Sequence, residues 1–317
     1  PYGIHRQRQK SHQRHSGIVS VPRVWVGASG TITEAHRASD EDFLVRRHPA
    51  GQLDLFWATA SDVSPKEQQN LMARAWFSLA KKNRTTPIEH SFGDNWVHIS
   101  ASENYPIATI WDNDILLFLI SQLMFAVNNG HPTSRRIRFT GWDFFRFIGA
   151  QSVGGSDYEA LWRRLERLHR TFVQTNLHMG SITREHSFTW LSEIERVRDG
   201  NTGLGFECVL PDWLYQSVVK EKSVLTLDED YFRIRGGLER WLYLWARKSA
   251  GNQRAGWSET PESLYSKSGS LGTFSAFTRS FKTITAKGSI LDYSVESVKI
   301  RRSHQLLFTP TSNTRRR

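Results

Sequence analysis

Histidine pairs, reactive cysteines, paired carboxylates and glycine-rich turns are the residue patterns that carry most protein chemistry. In this chain of 317 residues each falls short of a working constellation. Metal-assisted strand cleavage by a tyrosine needs two histidines flanking an apolar residue, and His98, His178 and His186 stand apart. A phosphate-binding loop needs GxxxxGK[ST], whose lysine reaches the phosphates. The nearest stretch, GSLGTFS, lacks that lysine. Asp112 and Asp114 open a long apolar run, where a helix dipole favours acidic residues without any catalytic role. The single cysteine, Cys208, lies in an apparent strand and reads as core. One cysteine excludes a disulfide framework and a multi-cysteine zinc site, and a reducing cytosol suits it. The expectation is a protein that is no enzyme and holds neither cofactor nor metal.

Cations are the other chemistry on offer. DYEALWRRLERLHR (157–170) carries four arginines. At 100° per residue, Tyr158, Leu165 and Leu168 fall within about 60° of Leu161, a buried stripe. Arg163, Arg167 and Arg170 lie at about 180–240°, opposite it, with Arg164 on the flank near 300°. Glu159 and Glu166 stand four residues before Arg163 and Arg170, so a surface laced by two helical salt bridges is one reading, each pair contributing about 0.2–0.5 kcal/mol. Arg164 and Arg167 have no acid four residues upstream. Residues 135–170 add Arg135, Arg136, Arg138 and Arg146, making eight arginines against four acids. Arginine suits planar, bidentate contact with phosphate or guanine, so the second reading is a DNA-facing helix with Ser156 at its N-cap.

A second helix, TFSAFTRSFKTITAK (273–287), sets Phe274, Phe277, Phe281 and Ile284 on one stripe. Ser275, Arg279, Lys282, Thr283 and Lys287 lie elsewhere on the wheel, with no acid among them. The turn before it offers Lys267, Ser268, Ser270 and Thr273, small hydroxyls and a cation fit for phosphates and base edges. Residues 247–288 hold seven Lys/Arg against two acids. This helix is expected to read bases, and 157–170 to grip phosphate.

The elements that must position these helices repeat. In the first copy WDNDILLFLISQLMFAVNN (111–129) is an apolar helix and RRIRFT (135–140) a strand. Thr140 caps a short helix that stops at Gly149, and 157–170 follows. TFVQTNL (171–177), SFTWLSEIERV (187–197) and GLGFECVL (204–211) read as strands. The second copy runs through a helix (236–248), an extended GWSE, a helix from Thr260 to Gly269, the 273–287 helix and a closing hairpin (289–300 and 304–310). Thr140 to Gly149 repeats as Thr260 to Gly269. Helix, strand, helix, turn, helix and hairpin is the order of a winged helix. Upstream, 86–100 alternates around Gly-Asp-Asn and reads as a hairpin, and IVSVPRVWV (18–26) as a short strand or arm. The expected fold class is α+β, with two tandem winged-helix domains at 41–222 (with an N-terminal extension) and 223–310. A mobile basic segment (1–40) and a basic tail (311–317) flank them. Arg184 near one wing, and Arg301 and Arg302 near the other, are expected on the DNA backbone.

The net charge of +11 belongs to the ends. Residues 1–33 hold five basic residues, 297–317 hold six, and neither segment holds an acid; the 31 basic residues between face 31 acids. Basic ends attract any polyanion, so the neutral middle must separate its charges in space to be selective. The N-terminus shows no export signal. ILLFLISQLMFAV (115–127) is too short to span a membrane, so a cytoplasmic protein is expected.

ATIWDNDILLFLISQL, SRRIRFTGWDFFRFIGAQSVGGSDYEALWRRLERLHRTFVQTNL, GGLERWLYLWARK and LYSKSGSLGTFSAFTRSF together resemble the RepA-type plasmid replication initiators of proteobacteria. The collinear likeness runs from DFLVRRHP (42–49) to about residue 309. It implies tandem winged helices on short repeated sites (iterons) in double-stranded origin DNA. It also implies opening of adjacent AT-rich DNA, recruitment of the host initiator and helicase, and a homodimeric form that represses its own gene, a role in copy control. The alternative is a winged-helix transcriptional repressor or partition adaptor, which would use the same helices without melting DNA.

Overall fold

The computed structural model describes residues 55–61, 63–177, 185–199, 202–300 and 303–311, all within the compact unit Ala38–Arg317. The segment 1–40, the arm at 18–26, residues 312–317 of the tail, and Arg184, Arg301 and Arg302 lie outside the described residues.

Strands β1 (Leu55–Trp57) and β2 (Lys66–Gln68) and the short helix α1 (Gln69–Met72) come first. The expected hairpin follows as β3 (Ile88–Phe92) and β4 (Asn95–Ala101), turning at Gly93 with φ 57°. Helix α2 (Asn113–Asn128) is buried on nearly every face, so it shows no polar stripe. Its polar pair is spoken for. Gln122 accepts from the Ala60 N–H at 3.0 Å and donates to its carbonyl at 2.9 Å, while Ser121 accepts from the Lys66 N–H at 2.8 Å. Strand β5 (Arg136–Phe139) leads to α3 (Gly141–Phe147), where Thr140 and Asp143 form a reciprocal capping box. Helix α4 (Gly155–Arg170) begins one residue before Ser156. Gly154, not Ser156, is its N-cap, because the Asp157 carboxylate reaches back to the Gly154 N–H at 2.8 Å.

Strands β6 (Thr171–Thr175), β7 (His186–Thr189), β8 (Glu193–Asp199) and β9 (Thr202–Val209) come next. The expected single strand 187–197 is therefore two strands in two sheets. Trp190 and Leu191 are both fully buried. Two consecutive inward residues break strand alternation, and the Leu191 carbonyl bonds His169 at 2.9 Å and the Thr189 hydroxyl at 2.8 Å instead of a ladder partner. Helix α5 (Asp212–Val219), strand β10 (Val224–Thr226) and a 3₁₀ turn (Glu229–Arg233) connect to α6 (Gly237–Ser249). Strand β11 (Trp257–Glu259) follows, then α7 (Pro261–Ser268), α8 (Phe274–Lys287), β12 (Ser289–Ile290), β13 (Tyr293–Ile300) and β14 (Ser303–Pro310). Thr260 caps α7, and Gly269 ends it at φ 58°. A Cβ on Gly269 would stand 2.7 Å from Ile88 of β3, so this turn is pressed against the β3–β4 hairpin.

The described residues form four sheets, ordered β1-β5-β9-β8, β10-β2, β11-β14-β13-β12 and β3-β4-β6-β7. The strand after the core helix pairs with the last hairpin strand in both copies: β5 with β9, and β11 with β14. The first copy differs by inserting β6 and β7, which join β4 rather than the hairpin. One apolar cluster runs through both copies. No helix among the described residues is long and apolar enough to cross a membrane.

Candidate nucleic-acid interface

Helix α4 buries Leu161, Leu165 and Leu168 as its spacing predicts, but Tyr158, expected in the same stripe, is 37% exposed, because it lies in the first turn with its ring edge against Phe145. Its arginines divide. Arg167 donates to the buried Asp112 carboxylate through Nε at 2.8 Å and Nη2 at 2.6 Å. Arg164 donates to the Trp111 carbonyl and lies 3.3 Å from Asp114. Asp114 also accepts from Arg240 of α6 at 2.7 Å, and Arg240 is itself 3% exposed. Arg164 and Arg167, which have no acid four residues upstream, are therefore not free: their partners open α2, 50 and 55 residues upstream. Asp112 and Asp114 do more than complement a dipole, because they fasten α4 and α6 to the start of α2. Desolvation pushes the Asp114 carboxyl above its usual range, against the pull of Arg240 and Arg164. The bond to Asp112 is the first cause holding Arg167 more firmly charged than usual. Removing one partner from such a buried pair typically costs about 3–5 kcal/mol.

Neighbouring arginines are likewise occupied. Arg136 bonds Glu193 and, at 2.7 Å, Glu207; Arg138 reaches Glu207 at 2.5 Å. Arg135 lies 4.0 Å from Asp212, and Arg146 lies 3.5 Å from Asp143. Neither helical pair of the salt-bridge reading forms among the described residues: Glu159 accepts from Arg196 of β8 at 2.6 Å, and Arg170 turns to Tyr105 and not to Glu166. The arginine excess of 135–170 is largely matched by acids distant in sequence. Ser156, Arg163 and Arg170 remain exposed on the outer face of α4. Arg163 has no carboxylate within ion-pairing distance among the described residues, and the Arg170 guanidinium stacks 4.4 Å above the Tyr105 ring.

Helix α8 presents the cleaner surface. Phe277, Phe281 and Ile284 are buried, but Phe274 is 37% exposed and lies off the stripe, its ring against Tyr265. Thr273 is the N-cap, accepting from the Ala276 N–H at 3.2 Å. Lys267 and Ser268 end helix α7 and do not lie in the turn expected from the sequence. Lys267 pairs with Glu259 at 2.5 Å, and buried Ser268 donates to the Tyr265 carbonyl and accepts from the Ser270 N–H. Ser270 accepts from the Gly272 N–H at 3.2 Å. Lys287 is also matched, by Glu239 of α6 at 2.5 Å, so the absence of local acids did not leave it free. Ser275, Arg279, Lys282 and Thr283 are exposed, and neither Arg279 nor Lys282 meets a carboxylate among the described residues.

Alongside this turn runs a groove of about 480 Å³ between residues 78–86 and the start of α8, with Lys82, Asn83 and Arg84 on one wall and Ser270, Gly272 and Ser280 on the other. A second hollow lies beyond it, lined by Lys81, Asn83, Thr109, Trp111 and Arg167. Sequence reasoning passed over AKKNRTT (80–86), because it belongs to neither winged-helix pattern. No group of three or more His, Cys, Asp or Glu fit to hold a metal occurs among the described residues. Cys208 is buried in β9, which pushes its thiol far above the usual range.

Three kinds of comparison bear on this geometry. Residues 66–295 match the family model described as Replication initiator protein A. A putative replication protein of Wigglesworthia glossinidia brevipalpis is 34% identical over 194 residues, 60% of this chain and 70% of that protein. In structure, a selenomethionine derivative of domains 2 and 3 of RctB superposes with a TM-score of 0.55 at 12% identity, covering 76% of this chain and 98% of that one. A further structure of RctB domains 2–3 gives 0.51 at 11% identity, covering 78% and 98%. At such identities the likeness to RctB is one of fold.

Proposed function

The chain belongs to the replication initiator protein A family, and on that premise we propose that it initiates plasmid replication by binding repeated sites in double-stranded origin DNA. The two copies of the helix–strand–helix–helix–hairpin order act as tandem winged-helix domains, 41–222 and 223–310. In the second, α8 lies in a major groove with Ser275, Arg279, Lys282 and Thr283 toward base edges and phosphates. In the first, Ser156, Arg163 and Arg170 on the outer face of α4 hold backbone. Arg164, Arg167, Arg136, Lys267 and Ser268 support these helices from behind. Binding then favours opening of adjacent AT-rich DNA and recruitment of the host initiator and helicase, in the bacterial cytoplasm, with no covalent chemistry by this chain. A homodimer is a second form, acting on its own gene.

The observation that carries this reading is the α8 face, where two cations and two hydroxyls stand exposed with neither Arg279 nor Lys282 in an ion pair among the described residues. The test compares full-length protein on duplex carrying the repeats of its own origin with scrambled duplex of equal length. Tighter binding to the repeats, lost at one base position in Arg279→Ala by about 1–3 kcal/mol, is expected. Equal affinity for both duplexes would refute sequence-specific binding. Permanganate reactivity beside the bound repeats separates an initiator from a repressor or partition adaptor, which leaves that DNA unreactive.

A further inference from the structure

We propose that residues 80–86, AKKNRTT, form a third DNA contact, a backbone saddle between the two winged helices, with Lys81 and Lys82 on phosphates. This deepens the duplex-binding reading and rests on it.

The placement comes first. The segment lies beside the N-terminal half of α8, since Lys82 and Asn83 line one groove with Ser270 and Ser280. It also reaches the first winged helix, since Lys81 and Asn83 line the adjoining hollow with Arg167 of α4. Asn83 is common to both. The two hollows therefore meet along this segment, which touches Arg167 of α4 on one flank and α8 on the other. None of the residues lining either is acidic.

Charge comes second. Lys81, Lys82, Asn83, Thr85 and Thr86 are exposed. Neither lysine has a carboxylate within ion-pairing distance among the described residues. Arg84 beneath them is 8% exposed and bonds only carbonyls: Thr86 at 2.7 Å, Pro87 at 2.6 Å and Gly269 at 2.5 Å. Three cations thus stand in sequence without a matching acid, whereas most arginines of α4 and β5 are matched. Clustered cations repel each other, and a polyanion offsets that repulsion.

Rigidity comes third. The Arg84 bond to Gly269 ties the segment to the turn before α8, and the Ile107 N–H donates to the Arg84 carbonyl at 2.7 Å. The Lys81 ammonium lies 5.6 Å from the Trp111 ring. The segment is built into place before any ligand arrives, so little ordering entropy opposes its contact. Hydroxyls at Thr85 and Thr86 and the Asn83 amide are further donors of the kind that bind phosphate oxygens. Arg84 acts as a positioning residue, and the lysines make the contact.

The experiment measures full-length protein on a mixed-sequence duplex of about four helical turns (~40 base pairs) across a salt series. Three variants accompany the wild type. They are Lys81→Ala/Lys82→Ala, Arg279→Ala, and Lys220→Ala/Lys222→Ala, which removes equal charge at the end of α5 outside both hollows. Each phosphate contact contributes about 0.9 to the slope of log K against log salt, so the first double variant should lower that slope by about two. Its thermal melting should be unchanged, because both side chains are exposed. The α5 variant should keep the wild-type slope. A full slope in Lys81→Ala/Lys82→Ala, with binding weakened in Arg279→Ala, would overturn the saddle and leave the winged-helix reading standing. An equal drop in the α5 variant would also overturn it, since the effect would then be net charge alone. No duplex binding by the wild type at any salt would sink both.

Discussion

Glu67 is a fully buried carboxylic acid. Its oxygens accept from the Asn113 amide at 2.5 Å and the Gln68 N–H at 2.9 Å, and Asp114 stands near enough to oppose its ionisation. Burial pushes its pKa from 4.5 up to about 7. A raised carboxylate pKa means that the folded state holds a proton which the unfolded chain has released. Stability is therefore lost as pH rises from 4.5 to about 7, and is level above that. The loss amounts to about 3–4 kcal/mol. Glu67→Gln keeps the shape and cannot ionise, so it should be the more stable form above neutrality and not below about pH 5. Urea unfolding of both proteins over that range tests this; a difference between them that is constant with pH would count against it. Composition could not have revealed Glu67, which is one acid of 31. Its character comes from α2 and from the strand pair β2–β10 closing over it.

Helix α4 shows what an element's own sequence can and cannot say. Its apolar stripe was legible, because Leu161, Leu165 and Leu168 follow from a 3.6-residue period. The caps of α3 and α7 were legible too, since Thr140 and Thr260 bond within three residues of themselves. The partners of Arg164 and Arg167 were not, because Asp112 and Asp114 arrive through tertiary packing, as Glu207 does for Arg136 and Arg138 of β5. An acid four residues upstream is a local rule, and here Glu159 broke it for Arg196. Two substitutions on this one helix should therefore part company. Arg167→Ala removes both guanidinium bonds to the buried Asp112, which keeps Arg164 at 3.5 Å and the Thr109 N–H and hydroxyl, and should lower stability by about 1.5–3 kcal/mol. Arg163→Ala should leave stability within about 0.5 kcal/mol and lower the salt slope of DNA binding by about one. Thermal melting and a salt titration on the same two proteins decide it; a slope change without destabilisation in Arg167→Ala would reverse the assignment.

Over the whole chain, the duplicated order was legible because each copy carries its own caps, stops and apolar periods. The sheet β3-β4-β6-β7 was not, since its strands come from both sides of α2, α3 and α4, and no short-range signal announces that pairing. Nor does any local pattern announce Asp114, which receives Arg164 from one copy and Arg240 from the other on opposite oxygens. A shared carboxylate of that kind sets a distance. If each copy holds its own stretch of duplex, the protein is a ruler with two fixed marks, and DNA must present its grooves in phase with them. Inserting half a helical turn (~5 base pairs) inside one repeat should abolish tight binding, whereas a full turn (~10) should restore the phase but not the span. Recovery after the full-turn insertion would mean that the two marks slide. With the marks fixed, the sequence of the repeat can drift during evolution more easily than its length.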